Sequence, residues 1–552
     1  MRGVLRLRIC PPQFPIAKDH QATFNQSILT NHLRTVGLSM NEEETIALWE
    51  RGKEAWNKWA QEMLSKRSEL EKEGEWQLDY KPTGEEHPQN SLTEDWLDRA
   101  TAIFSTKRFA RKFSESTSFS GYHFPGPAIF CKARFLKTTD FHYSVFEGSV
   151  DFSDAKFTQE VSFFSSEFKN HVLFEGVRFE NSVYFAHTTC ENTVDFLAST
   201  FCGTLACIGC KFDGELSFGL CRFQSRVDLK QTNFREEVDF REVTFDADID
   251  FLNSCFEDYA TFKSVEFRKA ARFDNTTFKG IADFQESQFK GSTDFQSVTF
   301  EESGLFGSAI FTKPTRFTDA VFQGAASFNS AQIGQAFDLS GAQFYEVPDF
   351  RQAHFEEAPL FDNVCITRHN FEYSRANNDL KHEFTAKYRA LKRLAIQGHD
   401  HKHEVEFFAE ELRSKRLMVD KRWRWDWILS GIFQLTSDYG RSILRPFVFW
   451  LLVVGLSATT YLLTAKQSAT NVPLQCVKND GWQWVSAIQL AIGKGLLFPG
   501  VADRTLIMQA YDCLYGSTIP TLTSAVLGLQ TLVSSALLFL ILLGIRNRFK
   551  LK

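Results

Sequence analysis

Between Thr117 and Phe361 the apolar positions obey one rule. Phenylalanine returns at alternating steps of five and six residues: Phe152 and Phe157, Phe163 and Phe168, Phe174 and Phe179. The series runs on through Phe240, Phe245, Phe251, Phe256, Phe262, Phe267, Phe273 and Phe278 to Phe350 and Phe355. The unit is eleven residues, V-D-F-x-x-A-x-F-x-x-x, repeated about 22 times. That period is neither the 2 of a strand nor the 3.6 of a helix. Eleven residues also suit a supercoiled helix, but β-branched residues, Gly, Ser, Thr and Asp fill the unit where helix formers would be needed. Two units close four sides in about 22 residues, which predicts a β-solenoid of about eleven coils, on the order of 50 Å long. Each Phe then faces inward and stacks on the one a coil above. The residue two before it is small or β-branched (Ala155, Ser166, Val177, Ala282, Ala309) and also turns inward. Cys190, Cys207, Leu229 and Ile333 occupy Phe slots as apolar replacements.

Around the repeat the period changes. From Asn41 to Lys72 it is helical, with Ile46, Leu48, Trp49, Trp56, Trp59 and Met63 on one face. This helix is expected to cap the first coil, where strand edges and Phe faces would otherwise lie open. Gly74 to Pro88 reads as a polar linker, and Thr93 to Arg108 as a second short helix. After Phe361 a helical hairpin is expected: Leu380, Phe384, Tyr388, Leu391 and Leu394 on one arm, a break at Gly398, then Val405, Phe407, Phe408 and Leu412. Lys421 to Trp427 mixes basic residues with Trp, as at a membrane interface.

Two uncharged runs follow, Pro446 to Ala465 and Thr521 to Ile545, each long enough to span a bilayer. Basic residues crowd before the first (Arg422, Arg424, Arg441, Arg445) and after the second (Arg546, Arg548, Lys550, Lys552), so both flanks are expected on the cytoplasmic side. The loop from Lys466 to Pro520 then faces outward. Within it Val485 to Leu497 is apolar but too short to cross, the length of a re-entrant or interfacial segment. Four regions result: a helical cap (1–112), the solenoid (113–366), a hairpin and interfacial connector (367–440) and a two-span membrane region (441–552).

Two resemblances add to this reading. The repeat resembles the pentapeptide-repeat family, whose usual unit is A-(D/N)-L-x-x, in a Phe-centred form with one extra residue in alternate sides. That implies a right-handed, quadrilateral parallel β-helix. The run from Leu48 to Trp59 resembles the helix that often precedes such repeats, and the Tyr388–Leu412 hairpin the connector of their membrane-anchored members. The order span, half-span, span is similar to a two-span subunit of the potassium-channel type. It places Gly493, Lys494, Gly495, Phe498, Pro499 and Gly500 at the filter, and Gln530, Thr531, Ser534 and Ser535 on a pore-lining helix that Gly528 would bend. The filter run does not match T-V-G-Y-G, so potassium selectivity is not implied, and a ring of Lys494 would favour anions.

The 552 residues carry a net charge of −6, with the excess of acids in the repeat, so the solenoid is acidic and the remainder basic. Eleven cysteines lack a disulfide-scaffold spacing and fit reduced cytoplasmic thiols. Cys476 and Cys513 are the exception: they bracket the half-span on the outer side, where a disulfide is expected. Cys207-x-x-Cys210 has no second pair and reads as packing rather than zinc. His399, His401 and His403 read as solvated turn residues. No nucleophile–base set, phosphate loop or paired carboxylates stands out, and neither cofactor nor metal nor enzymatic activity is expected.

Two functions remain. One is an oligomeric channel or pore subunit, a tetramer by resemblance, in a bacterial inner membrane, with both termini and the sensing solenoid in the cytoplasm. The other is a membrane-anchored scaffold whose acidic solenoid binds a basic protein. Gyrase binding by DNA mimicry is its family-based variant, and direct nucleic-acid binding is not expected.

Overall fold

The repeat closes into a four-sided parallel β-solenoid. In this computed structural model, residues 40–80, 86–104, 116–367, 378–418, 424–468, 482–496, 504–516 and 520–549 are described. Two-residue strands form four sheets, three of eleven strands and one of twelve. Register is in steps of 22: Val150 pairs with Val172, Phe157 with Phe179, Val161 with Val183 and Phe168 with Cys190. Inside, rings stack along the axis. Phe130, Phe152, Phe174, Phe196, Phe218, Phe240, Phe262, Phe284, Phe306, Phe328 and Phe350 make one column, with centroids 4.6–5.1 Å apart and planes within 14°. This spacing is that of the strands themselves, so the backbone ladder and the aromatic ladder share one repeat. Facing columns meet edge to face, as Phe251 and Phe262 do at 5.7 Å, the geometry that ring quadrupoles favour.

Two further ladders run through each half-coil. The small residue two before Phe is buried, and where it is Ser, Thr or Cys it donates to a carbonyl 25 residues back: Ser166 Oγ to Phe141 O at 2.6 Å, Thr188 Oγ1 to Phe163 O at 2.6 Å, Cys210 Sγ to Phe185 O at 2.9 Å. The Asp of the unit is not merely hydrated, as its outward position implies. Its Oδ1 accepts the N–H two residues on, at 2.8 Å for Asp151, Asp195 and Asp239. That Asx turn leads into a left-handed residue, and from Gly121 to Asn363 such a residue recurs every eleven positions, twenty-three times, with only four glycines among them. Leu220, at φ 60° and 57% exposed, bears the strain of a bulky side chain there. Leu220→Asn is expected to raise stability by roughly 0.5–1 kcal/mol, read as a shifted denaturation midpoint.

The N-terminal cap closes the first coil. Helix α1 (Glu42–Glu50) leads through Gly52 into α2 (Lys53–Glu73). The expected linker contains an antiparallel hairpin, β1 (Leu78–Tyr80) with β2 (Glu86–Pro88), pinned to the second coil where a Glu86 carboxylate oxygen accepts the Ser149 N–H at 2.9 Å. Helix α3 (Ser91–Ala100), capped by Asn90, stops short of the expected Arg108. The chain turns extended at Ala102–Ile103 (β3), which pairs with Ala128–Ile129 and starts the solenoid.

At the far end α4 (Asn378–Gln397) and α5 (His401–Met418) form the expected hairpin over the last coil. Phe407 meets Phe361 edge to face at 5.8 Å, and the Gln397 amide donates to Phe355 O at 3.0 Å. His403 is not a solvated turn residue. It is 5% exposed, packs on Phe361 and shares a 2.5 Å hydrogen bond with the helix-capping Asp400. One continuous apolar core thus runs from Trp56 to Phe407.

Candidate functional site

A second, separate core lies C-terminal. Helix α6 (Arg424–Ser437) leads to α7 (Leu444–Ser468), α8 (Trp482–Gly495), α9 (Arg504–Tyr515) and α10 (Thr521–Phe549). Two stretches are long and apolar enough to cross a membrane, Leu444–Ala465 and Thr521–Arg548. Within an 18-residue window of each, 39% and 22% is buried. Leu451, Leu456 and Leu463 on α7, and Leu522, Leu532 and Phe539 on α10, are 49–72% exposed. On α6, Trp425 and Leu429 are 76% and 61% exposed, while the Arg416 guanidinium lies over Trp427 at 4.7 Å. Much of the apolar surface of these three helices is therefore uncovered within one chain.

Helix α8 packs between α7 and α10. Its fourteen residues reach roughly 21 Å. Its C-terminal end lies beside Trp450 and Val454, halfway along the α7 stretch, where the Trp450 indole donates to Gly495 O at 3.1 Å. The chain then returns as α9, an element that sequence patterning missed although Ile507, Ala510, Tyr511 and Leu514 repeat at helical spacing. The glycines of the proposed filter have a packing use. A Cβ on Gly493 would sit 2.6 Å from Ile507 Cγ1, and one on Gly495 3.2 Å from Val454 Cγ2. Lys494 is half-buried; Phe498, Pro499 and Gly500 lie outside the described residues.

The candidates on α10 diverge. Gln530 is 2% exposed and bridges three helices: its Oε1 accepts from Tyr461 OH at 2.5 Å, and its Nε2 donates to Ala491 O at 2.6 Å. Ser534 is fully buried in the same bundle, and its Oγ has no partner among the described residues. Thr531 and Ser535 donate back along their own helix, to Leu527 O and Thr531 O. Gly528 faces open space in an unbroken helix. Tyr515 OH, hydrogen-bonded to Tyr461 O at 3.0 Å and to Thr464 at 2.8 Å, ties the C-terminal ends of α9 and α7. Cys513 is disulfide-bonded, the eight other described cysteines are free, and Cys476 lies outside the described residues.

On the solenoid, Cys207 and Cys210 are each 1% exposed inside the aromatic stack, where burial pushes the Cys207 thiol well above its ordinary range. No group of three or more His, Cys, Asp or Glu stands together to hold a metal among the described residues. Two opposite sheets carry the Asp of the unit. One bears Asp151, Asp195, Asp239 and Asp283 on alternate coils, the other Asp228, Asp250, Asp294 and Asp338. Burial, then the neighbouring Asp294, pushes the Asp274 carboxyl up to about 6. The faces are partly neutralised, since Arg226 and Lys230 both reach Asp250 at 3.4 Å.

The repeat geometry is also a family signature. A model described as pentapeptide repeats (9 copies) matches residues 141–189, 208–254, 218–266, 262–305 and 306–354. The solenoid is a pentapeptide-repeat domain. No curated protein and no solved structure matches the chain. Pentapeptide repeats here have Phe in the slot where the unit of the resemblance has Leu.

Proposed function

We propose that the chain is a membrane-anchored interaction scaffold. Helices α7 and α10 cross the bilayer, α6 lies at the inner interface, and the pentapeptide-repeat rod stands in the cytoplasm with its acidic sheets open to a basic protein partner. The exposed apolar belt of α6, α7 and α10 carries this reading, because water is a poor solvent for it. Full-length protein is expected to stay with membranes through alkaline carbonate washing, with tags on both termini shielded from outside reagents. Release by carbonate, or an outward C-terminal tag, would sink the proposal. The Cys513 disulfide, with Cys476 as the proposed partner, belongs to the oxidising side in this topology.

One observation favours a second reading, the oligomeric pore. Gln509 and Asp512 lie on the exposed side of α9, a helix packed against α8 and α7, and lipid does not readily accept such groups. A water-filled cavity between copies would. The bare glycine and glutamine positions no longer support it, since neighbouring helices use them. A defined ring in detergent together with unitary currents in planar bilayers would establish the pore; a monomer with silent bilayers would leave the scaffold alone.

A further inference from the structure

Where α4 crosses the last coil there is a cleft of about 340 Å³. Its walls carry Arg351, Arg389, Lys392 and Arg393, and its floor carries Ala386 and Ala390. Among the described residues no carboxylate lines it. Arg389 and Arg393 stand four residues apart on α4, on the same side, flanking the two alanines that keep the floor low.

The nearby acids do not balance these cations. Glu411, 2% exposed, holds Arg389 at 3.2 Å, Lys392 at 2.5 Å and Lys415 at 2.7 Å. Its carboxyl is held down at about 2, the three cations outweighing the opposing effect of burial. Glu383 takes Arg351 at 3.1 Å and Lys387 at 3.3 Å, and Asp349 grips Arg351 from the side at 2.7 Å. Six cations therefore meet three carboxylates, in a chain whose net charge is −6. Arg393 is exposed and has no ion pair among the described residues. The carboxylates orient Arg351, Arg389 and Lys392 and leave the inner side of the cleft positive.

We infer that this cleft binds a phosphate group. Guanidinium forks match phosphate oxygens in pairs, and a lysine adds a point charge. The volume lies at the lower end for small-ligand sites, enough for a phosphorylated head group or a small phosphorylated metabolite. The cleft sits on the hairpin that joins rod to membrane bundle, so an anionic lipid head group and a soluble phosphate compound are the two sources.

The test uses full-length protein in detergent. Thermal unfolding is followed with inorganic pyrophosphate, with short-chain phosphatidic acid and with short-chain phosphatidylcholine. At least one phosphate probe, and not phosphatidylcholine, is expected to raise the midpoint. Phosphatidic acid alone identifies a lipid head group, pyrophosphate alone a soluble ligand, and both together the phosphate itself. Arg393→Glu is expected to weaken the active probe about tenfold without moving the unliganded midpoint, and Arg393→Lys to keep most of the binding. No shift with either phosphate probe, an equal shift with phosphatidylcholine, or unchanged binding by Arg393→Glu would each overturn the inference.

Discussion

Phe262→Ala is expected to destabilise the solenoid by about 3–5 kcal/mol. Phe262 is fully buried. It stacks on Phe240 at 4.9 Å and on Phe284 at 4.6 Å, and meets Phe251 and Phe273 edge to face at 5.7 Å. Backbone ladders on all four sides hold the coil spacing, so the walls have little freedom to collapse into the gap. A solenoid is quasi-one-dimensional, and each coil is stabilised only by its neighbours. The lost ring should therefore uncouple the two halves as well as weaken them, and denaturant unfolding followed by circular dichroism should broaden into two steps. Phe262→Leu should cost less, about 1–1.5 kcal/mol. Cys207→Ala is the internal comparison: at that slot the aromatic column is already interrupted by Cys207 and Leu229, and only a sulfur atom is removed. If Phe262→Ala and Cys207→Ala proved equally mild, axial stacking would not be what holds the coils in register.

The period carried most of this fold because every coil repeats the same local problem. An inward Phe at alternating five- and six-residue steps allows only one closure, and the 22-residue register follows from it. The replacements Cys190, Cys207, Leu229 and Ile333 were legible for the same reason: an apolar residue in a known slot needs no other clue. What stayed hidden has no side-chain signature. The left-handed turn residue is Tyr143, Asp154, Ala198 or Leu220 as readily as Gly176, because the ladder around it, and an Asx turn before Tyr143, Asp154 and Ala198, impose the conformation. The β1–β2 hairpin is stabilised through Glu86 reaching a coil 63 residues away, which no local pattern reveals. In the C-terminal bundle the lengths of the two long apolar helices were readable but the facing of polar residues was not. Gln530 has the composition of a pore-lining residue, and the structure uses it as a bracket between α7, α8 and α10. Gly493 and Gly495 are compatible with a filter by resemblance, yet here they admit Ile507 and Val454. A polar residue in an apolar helix marks a place where a hydrogen bond is needed; which partner meets it is decided by three-dimensional packing.

That division bears on function. The rod offers two acidic faces whose Asp residues are already committed, by one oxygen each, to backbone turns. On the sheet that carries Asp151, Asp195 and Asp239 a basic partner would thus meet carboxylates fixed in place every second coil, with little ordering entropy left to lose. The regularity of the array, rather than any single residue, would set the partner's spacing.

Trp56→Ala should open the rod at its N-terminal end, at a cost of about 3–5 kcal/mol. Trp56 is fully buried against Phe124, Phe104 and Tyr122, with centroids at 5.3–5.9 Å, and its indole donates to His123 O at 2.9 Å. Next to it Asn57 acts as a substitute strand: its Nδ2 donates to Gly121 O at 2.9 Å, and its Oδ1 accepts the His123 N–H at 3.0 Å. One helix turn therefore supplies both the ring that the missing coil would have stacked and the hydrogen bonds that its backbone would have made. Without the Trp the helix loses its seat, and the exposed edge becomes a template for another chain. Size-exclusion chromatography with light scattering should show Trp56→Ala associating through its rod ends as concentration rises, while Trp56→Phe, which keeps the ring and loses the indole N–H, should remain as wild type and only modestly less stable. Asn57→Leu should reproduce the association with a smaller loss of stability, because it removes the strand mimicry but leaves the plug. A Trp56→Ala protein as stable and as disperse as wild type would show that the terminal coil needs no cap, and that α2 is there for something other than closing the ladder.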